Sequence, residues 1–263
     1  MSLLEDYYKS RDEESRLLSQ HGQVEYLTTM KYIHECLSRF ASPSILEVGA
    51  GTGRYSIALA NEGYSVTAVE LVPHNLDVLR SKLDGTEPIT AMQGNALDLS
   101  VFQDQSFDLT MLLGPMYHLF TWEDKIQALS EAVRVTKPGG NILVAYCMNE
   151  ATVIQYAFLS NHLNDMNALL TDDWHCKSEP EEVFELVRTE DISLLNSKFP
   201  LDRIKLVATD GASHYLSGLI DEMDQDTFAK WMEYHLATCE RQDLIGASNH
   251  TLDILKVREK NPV

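Results

Sequence analysis

The stretch ILEVGAGTGRYSIALA, residues 45–60, runs from a short apolar strand through an acid and three alternating glycines into the start of a helix. Gly49, Gly51 and Gly53 permit a tight turn and let a ligand approach the backbone where a Cβ would collide. A helix beginning near Thr52 presents unpaired N–H groups that can hold an anionic ligand group. The stretch reads as a nucleotide-type loop, with a bare strand-to-helix turn as the simpler alternative.

Two details narrow the nucleotide. A dinucleotide fingerprint carries glycine at its first, third and sixth positions, whereas the sixth residue counted from Gly49 is Arg54. Glu47, two residues before the first glycine, would oppose a pyrophosphate and attract an ammonium or sulfonium; its alternative role is to bind nearby backbone N–H groups. Glu70 follows Gly49 by 21 residues, near the spacing of about 20 at which an acid takes ribose hydroxyls. A merely solvated strand end is the other reading. Leu71 offers an apolar face beside it, and Gly94-Asn95-Ala96-Leu97 supply amide and backbone groups to a purine edge.

Outward from this loop, residues 44–146 repeat a short apolar run, a turn and a segment of helical spacing, which is a βαβ series. Strands are expected at Ser44–Val48, Ser65–Glu70, Ile89–Gln93, Phe107–Leu113 and Asn141–Tyr146. Val72, Leu76, Leu79 and Leu83 mark one intervening helix, and Ile126, Leu129 and Val133 another that stops before Pro138-Gly139-Gly140. Right-handed crossovers then give a doubly wound α/β fold with a parallel sheet. Upstream, Met30, Ile33, Leu37 and Phe40 form a helical stripe. Downstream, residues 150–200 look mainly helical with loops, Arg203–Thr209 and Thr251–Arg258 alternate as strands, and Phe228, Trp231, Met232, His235 and Cys239 follow helical spacing.

The 263 residues hold 21 Lys and Arg against 40 Asp and Glu, a net charge of −19. Such an acidic chain lacks the cationic footprint for nucleic acid. The charged start and the lack of a long apolar run argue against a signal peptide or membrane span, so a cytoplasmic protein is expected. Cys36, Cys147, Cys176 and Cys239 are far apart with no CxxC pair, so neither a disulfide framework nor a metal site is expected.

The segments EVGAGTG, AVE, QGNALDL, FDLTMLLGPMYHL and LSEAVRVTKPGGNILVAY resemble the class I S-adenosylmethionine-dependent methyltransferases, in particular the UbiE-like or type 11/12 small-molecule group. The resemblance implies a seven-stranded sheet of order 3-2-1-4-5-7-6 with the seventh strand antiparallel. It also implies a helical lid over 1–42, a cofactor-binding core over 43–149, and a remainder over 150–263 whose helical insertions at 150–200 and 211–245 cover the acceptor. Glu47, Gly49, Ala50, Gly51 and Gly53 would lie against the methionine part and Glu70 and Leu71 at the ribose, with Asn95, Ala96 and Leu97 edging the adenine and Leu113 completing the cofactor contacts. The family often has Asp where Asn95 stands.

The implied activity is in-line methyl transfer from S-adenosylmethionine to an O, N, S or C atom of a small-molecule acceptor, leaving S-adenosylhomocysteine. Gly114–His118 follows the fourth strand at the carboxyl edge, so His118 is the candidate base, against a helix-capping or packing role. Tyr8, Tyr117, His118 and Arg241 are the candidate acceptor contacts. Tyr7, Arg54 and His250 are further candidates, while Trp174 and Trp231 are read as packing residues. Rival functions are a non-catalytic S-adenosylmethionine-binding sensor and an NAD(P)-dependent oxidoreductase. The acceptor and the oligomeric state are not specified by the sequence.

Overall fold

The computed structural model describes residues 3–10, 16–166 and 168–259. The expected lid is therefore described over 3–10 and 16–42, and its other residues lie outside. The five central strands form as β1 Ser44–Val48, β2 Ser65–Glu70, β3 Ile89–Gln93, β4 Phe107–Leu112 and β5 Thr136–Met148. After β5 come β6 Leu186–Val187, β7 Leu201–Ala208 and β8 His250–Val257. The order is β3-β2-β1-β4-β5-β8-β7, with β6 paired to β5 off this path. β8 is antiparallel to both β5 and β7. The short β6 only shifts the count, so the expected sixth and seventh strands are β7 and β8 and the expected order holds.

β1 is flanked by β2 and β4, both parallel to it. Their carboxyl ends therefore share one edge, and the order reverses between β1 and β4, where open α/β sheets hold ligands. The helices are α1 Leu3–Ser10, α2 Gln20–Leu37, α3 Arg54–Asn61, α4 Pro73–Ser81 and α5 Trp122–Val135 in the first half; those beyond β5 include Thr189–Asn196 and Gln225–Thr238.

Burial follows the pleat. Ile45, Leu109, Leu143 and Ile254 pack on one face with Ile33 and Leu37 of α2 and Leu59 of α3. Their neighbours Leu46, Ile142 and Leu255 pack on the other with Ala128, Leu129 and Ala132 of α5 and Ile192 and Leu195 of the helix Thr189–Asn196. Successive side chains alternate faces, so strands covered on both sides are apolar throughout.

Three expectations need adjustment. Pro138-Gly139-Gly140 does not precede the fifth strand but lies within β5, where pairing with β4 passes from Thr136 to Asn141 through an irregularity. Gly139 takes a φ of 79°, and a Cβ on Gly140 would come within 2.9 Å of the Asp108 carbonyl oxygen; the segment bulges without breaking the strand. Phe40 lies beyond the end of α2. The helix Gln225–Thr238 carries the spacing read from Phe228 to Cys239, yet of its own residues only His235 is buried. It packs beside α2 on the sheet's flank and lines neither of the cavities described below. No helix among the described residues is long and apolar enough to cross a membrane.

One buried charge pair fastens the last strands. Asp253 of β8 is fully buried; it accepts from Arg203 Nε at 2.7 Å and Nη2 at 3.0 Å and from Asn196 Nδ2 at 2.5 Å. Removing the guanidinium leaves an unpaired carboxylate in the sheet. Arg203→Met is expected to lower stability by about 3 kcal/mol in urea unfolding; an unchanged midpoint would show that the pair contributes nothing.

Candidate functional site

The loop after β1 adopts the conformation its glycines permit. Gly49, Gly51 and Gly53 have φ of 75°, 55° and 87°, values that L side chains rarely accept. They serve different ends. A Cβ on Gly49 would strike Pro115 at 2.6 Å and one on Gly53 would strike Leu79 at 2.7 Å, so these two allow close packing. A Cβ on Gly51 would meet nothing within 4 Å. It would project into open space, and Gly51 lines a cavity of about 200 Å³ at the switch point.

Glu70 stands at the end of β2 and is buried. Its carboxylate accepts from the Gly51 N–H at 2.7 Å and from the Val72 N–H at 2.8 Å, tying the glycine loop to the neighbouring strand end. Burial raises its pKa against the pull of these hydrogen bonds. Glu47 is buried too, and accepts from the Ser56 hydroxyl. Burial, opposed by Ser56 and reinforced by Glu70, pushes its carboxyl up to about 8. The loop is thus built over a buried carboxyl that keeps its proton to a higher pH than a free one does.

Arg54 opens α3 and lines the same cavity. Its guanidinium lies 4.8 Å from the centre of the Tyr26 ring, which stacks on Tyr55. Its Nε is buried with no hydrogen-bond partner among the described residues, a donor suited to an anionic ligand group. At the opposite wall Leu71 remains 44% exposed, and Asn95 turns its Oδ1 onto the Leu97 N–H at 3.0 Å.

His118 ends the short turn Pro115–His118 after β4. Its Nδ1 lies 2.9 Å from the Val183 carbonyl, which can only accept, so Nδ1 carries the proton. Nε2 is then the acceptor of the Tyr8 hydroxyl at 2.8 Å. Tyr117 and Phe184 crowd the imidazole, and Tyr7 packs on Phe184. Burial lowers the pKa of His118 against its bond to Val183, which favours the neutral ring. Val183 holds that carbonyl with a φ of 70°, unusual for a β-branched residue.

A second cavity, of about 820 Å³, adjoins the first; Tyr8, Arg16 and Tyr117 line both. Apolar walls come from Tyr156, Met166, Leu169, Phe184 and Leu186. At its polar end Arg16 binds Glu25 at 2.7 Å, and His250 Nδ1 lies 2.9 Å from Asp210 and 3.3 Å from Glu25. Burial alone would raise both carboxyls. Arg16 and His250 outweigh it for Glu25, and His250 and Ser248 bring Asp210 down to about 2. Burial opposes charge on His250, but Glu25, then Cys147 and Asp210, hold its pKa well above the usual range.

The structure brings together in the first cavity all the cofactor candidates: Glu47, Gly49, Ala50, Gly51, Glu70, Leu71, Asn95, Ala96, Leu97 and Leu113 line it, and Gly53 sets the turn beneath. Tyr8, Tyr117 and His118 line it as well, while His118 is not part of the second cavity's wall. Arg241 is apart from both, exposed and paired with Asp243 at 2.6 Å. His250 does line the second cavity. Arg16, Glu25 and Asp210 escaped notice in the sequence because each sits alone, far from any motif.

A sheet reversed at its last strand, with a glycine-lined cavity at its switch point, defines the class: a class I S-adenosylmethionine-dependent methyltransferase fold. Residues 45–140 match the family model described as a methyltransferase domain, and the chain carries that domain. An uncharacterized methyltransferase of Mycobacterium tuberculosis strain H37Rv is 36% identical over 102 residues, 39% of this chain and 39% of that protein. A ubiquinone biosynthesis O-methyltransferase of Alkalilimnicola ehrlichii is 24% identical over 194 residues, 72% of this chain and 77% of that protein. A solved SAM-dependent methyltransferase of Methanosarcina mazei superposes with a TM-score of 0.58 at 18% identity, covering 87% of this chain and 98% of that one. The chain matches 39% of the length of the first curated relatives.

Glu47 and Glu70 make the ligand-free site testable. Glu47's pKa is raised above its unfolded value of 4.5. The stability linked to it is full below about pH 4.5 and is lost as pH rises through about 8. Glu47→Gln should flatten that decline in unfolding measured across pH; an unaltered slope would mean that Glu47 is ionised. Glu70→Ala should destabilise the ligand-free protein by about 2 kcal/mol, since the half-buried Gly51 N–H and the buried Val72 N–H lose their acceptor.

Proposed function

We propose that the protein transfers a methyl group from S-adenosylmethionine to a small-molecule acceptor bound in the larger cavity. The carrying observation is the adjacency of two cavities across a common wall of Tyr8, Arg16 and Tyr117. The first has the features that the cofactor requires. Gly51 leaves backbone open to a ligand, Glu70 can accept from ribose hydroxyls with its remaining lone pairs, Leu71 gives a face for the nucleoside, and Arg54 has an unspent donor for a carboxylate. When bound, S-adenosylmethionine supplies a methyl group already activated on a sulfonium and transferable in line to a nucleophile.

The chain's own work is positioning and proton handling. The second cavity has a volume typical of small-molecule sites, which run from about 300 to 1,000 Å³, and its walls pair an aromatic and aliphatic side with a charged end. Tyr8 lines this cavity and bonds His118. A protic acceptor gives its proton to the Tyr8 oxygen as Tyr8 passes its own to His118 Nε2; the Val183 carbonyl keeps the imidazole in the tautomer that can receive it. His118 acts through Tyr8 rather than directly. The net charge of −19 supports a small acceptor over a nucleic acid.

Two experiments test this. Calorimetric titration with S-adenosylmethionine in buffers of different ionisation heat should show proton release at pH 7, because the ligand's ammonium or sulfonium charge ionises Glu47. Affinity should then rise with pH up to about 8, and Gly51→Val should abolish binding. Labelled methyl transfer into a metabolite extract should identify a protic acceptor, whose turnover falls about 100-fold in Tyr8→Phe and His118→Ala with cofactor binding retained. A thiolate acceptor would show no such loss. Tight binding with no labelled product would overturn catalysis.

A further inference from the structure

We infer that Glu25, Asp210 and His250 form a binding site for one divalent transition-metal ion in the wall of the larger cavity. These residues come from α2, from the turn after β7 and from the start of β8, and all three line that cavity. One donor atom from each lies within 4.8 Å of the others. His250 Nδ1 is 2.9 Å from an Asp210 oxygen and 3.3 Å from a Glu25 oxygen. Two donors about 2.1 Å from one ion lie roughly 3.0–3.4 Å apart at right or tetrahedral angles. Both carboxylates stand at about that spacing from the imidazole nitrogen, and the two lie within 4.8 Å of each other.

The surroundings are those of a held ligand set. The other oxygen of Asp210 accepts from the Ser248 hydroxyl at 2.6 Å and from the Asn249 and His250 N–H groups at 2.9 and 3.1 Å. This fixes the direction of the oxygen that remains, as outer-shell partners fix metal ligands. Asp210 is 5% exposed at its side chain and Glu25 14%, so their charges are not diluted by bulk water. Arg16 bonds both oxygens of Glu25, at 2.7 and 3.2 Å. An arriving ion displaces the guanidinium from the nearer oxygen while the farther one retains it, and it takes the place of the Nδ1 proton of His250.

Two carboxylates and one imidazole suit Zn²⁺, Mn²⁺ or Co²⁺. Three protein ligands leave the ion's remaining positions to the cavity, where a hydroxyl, carboxylate or amine of an acceptor can bind. That last consequence rests on the acceptor role proposed for the cavity; the ion site itself does not. None of the three ligands lines the smaller cavity, so the two proposals fail separately.

The test uses the full chain stripped with EDTA, with neither cofactor nor acceptor added. Calorimetric titration with Zn²⁺ and Mn²⁺ should show one saturable site, and Co²⁺ should develop visible absorption with the same stoichiometry. Glu25→Gln and His250→Gln should each weaken binding about tenfold or more, with circular dichroism confirming that both variants are folded. Asp210→Asn is a weaker probe, because Asp210 also orders the turn around Ser248. Absence of a saturable site for all three ions, or equal affinity in the folded Glu25→Gln and His250→Gln variants, would overturn the assignment.

Discussion

The carboxylate of Glu70, at the end of β2, ties that strand end to the loop after β1. One oxygen takes the N–H of Gly51 on the loop after β1, and the other takes the N–H of Val72 at the entrance to α4. The loop's left-handed backbone is open to glycine and strained for other residues, and a buried carboxylate holding two N–H donors fixes it in place. Once the loop is fixed, the start of α3, the cavity floor and the position of Arg54 follow. The same group that holds the empty loop also retains lone pairs toward the cavity, so scaffold and ligand contact are one chemical feature.

The centre of the fold was legible because its physics is local. Strands covered on both faces must be apolar, crossovers must be right-handed, and the glycine pattern fixes where the chain can turn; β1, β2 and β3 fall on the expected residues. Pro138-Gly139-Gly140 misled because breakers usually end an element, whereas here the neighbouring strand resumes pairing at Asn141 and the bulge is absorbed. The cavity of cofactor candidates was legible for the same reason as the loop: its walls come from consecutive strand ends. The larger cavity was not. Glu25 lies far up the chain from Asp210 and His250; the pairing of β7 with β8 brings the last two together, and α2 contributes the first. Arg241 was chosen for its place beside a cover helix, but that helix lies along the flank and Arg241 settles on its near neighbour Asp243.

Charge is used in opposite ways inside and outside. A net charge of −19 is spread over a surface where water screens it. In the interior, burial pushes the Glu47 carboxyl up, while Arg16 and His250 hold Glu25, and His250 and Ser248 hold Asp210, below the usual carboxylate range. The same side-chain type is thus a latent charge in one cavity and a standing charge in the next. The difference comes from partners rather than from depth, because all three carboxyl groups are shielded from solvent.

The roof over both cavities has its own consequence. α1 buries none of its residues, yet Tyr8 reaches into both spaces and Tyr7 rests on Phe184. A short helix that buries none of its residues belongs to the low-stability end of a protein's local openings. Because Tyr8 lines both spaces, a displacement of this one helix alters the walls of both.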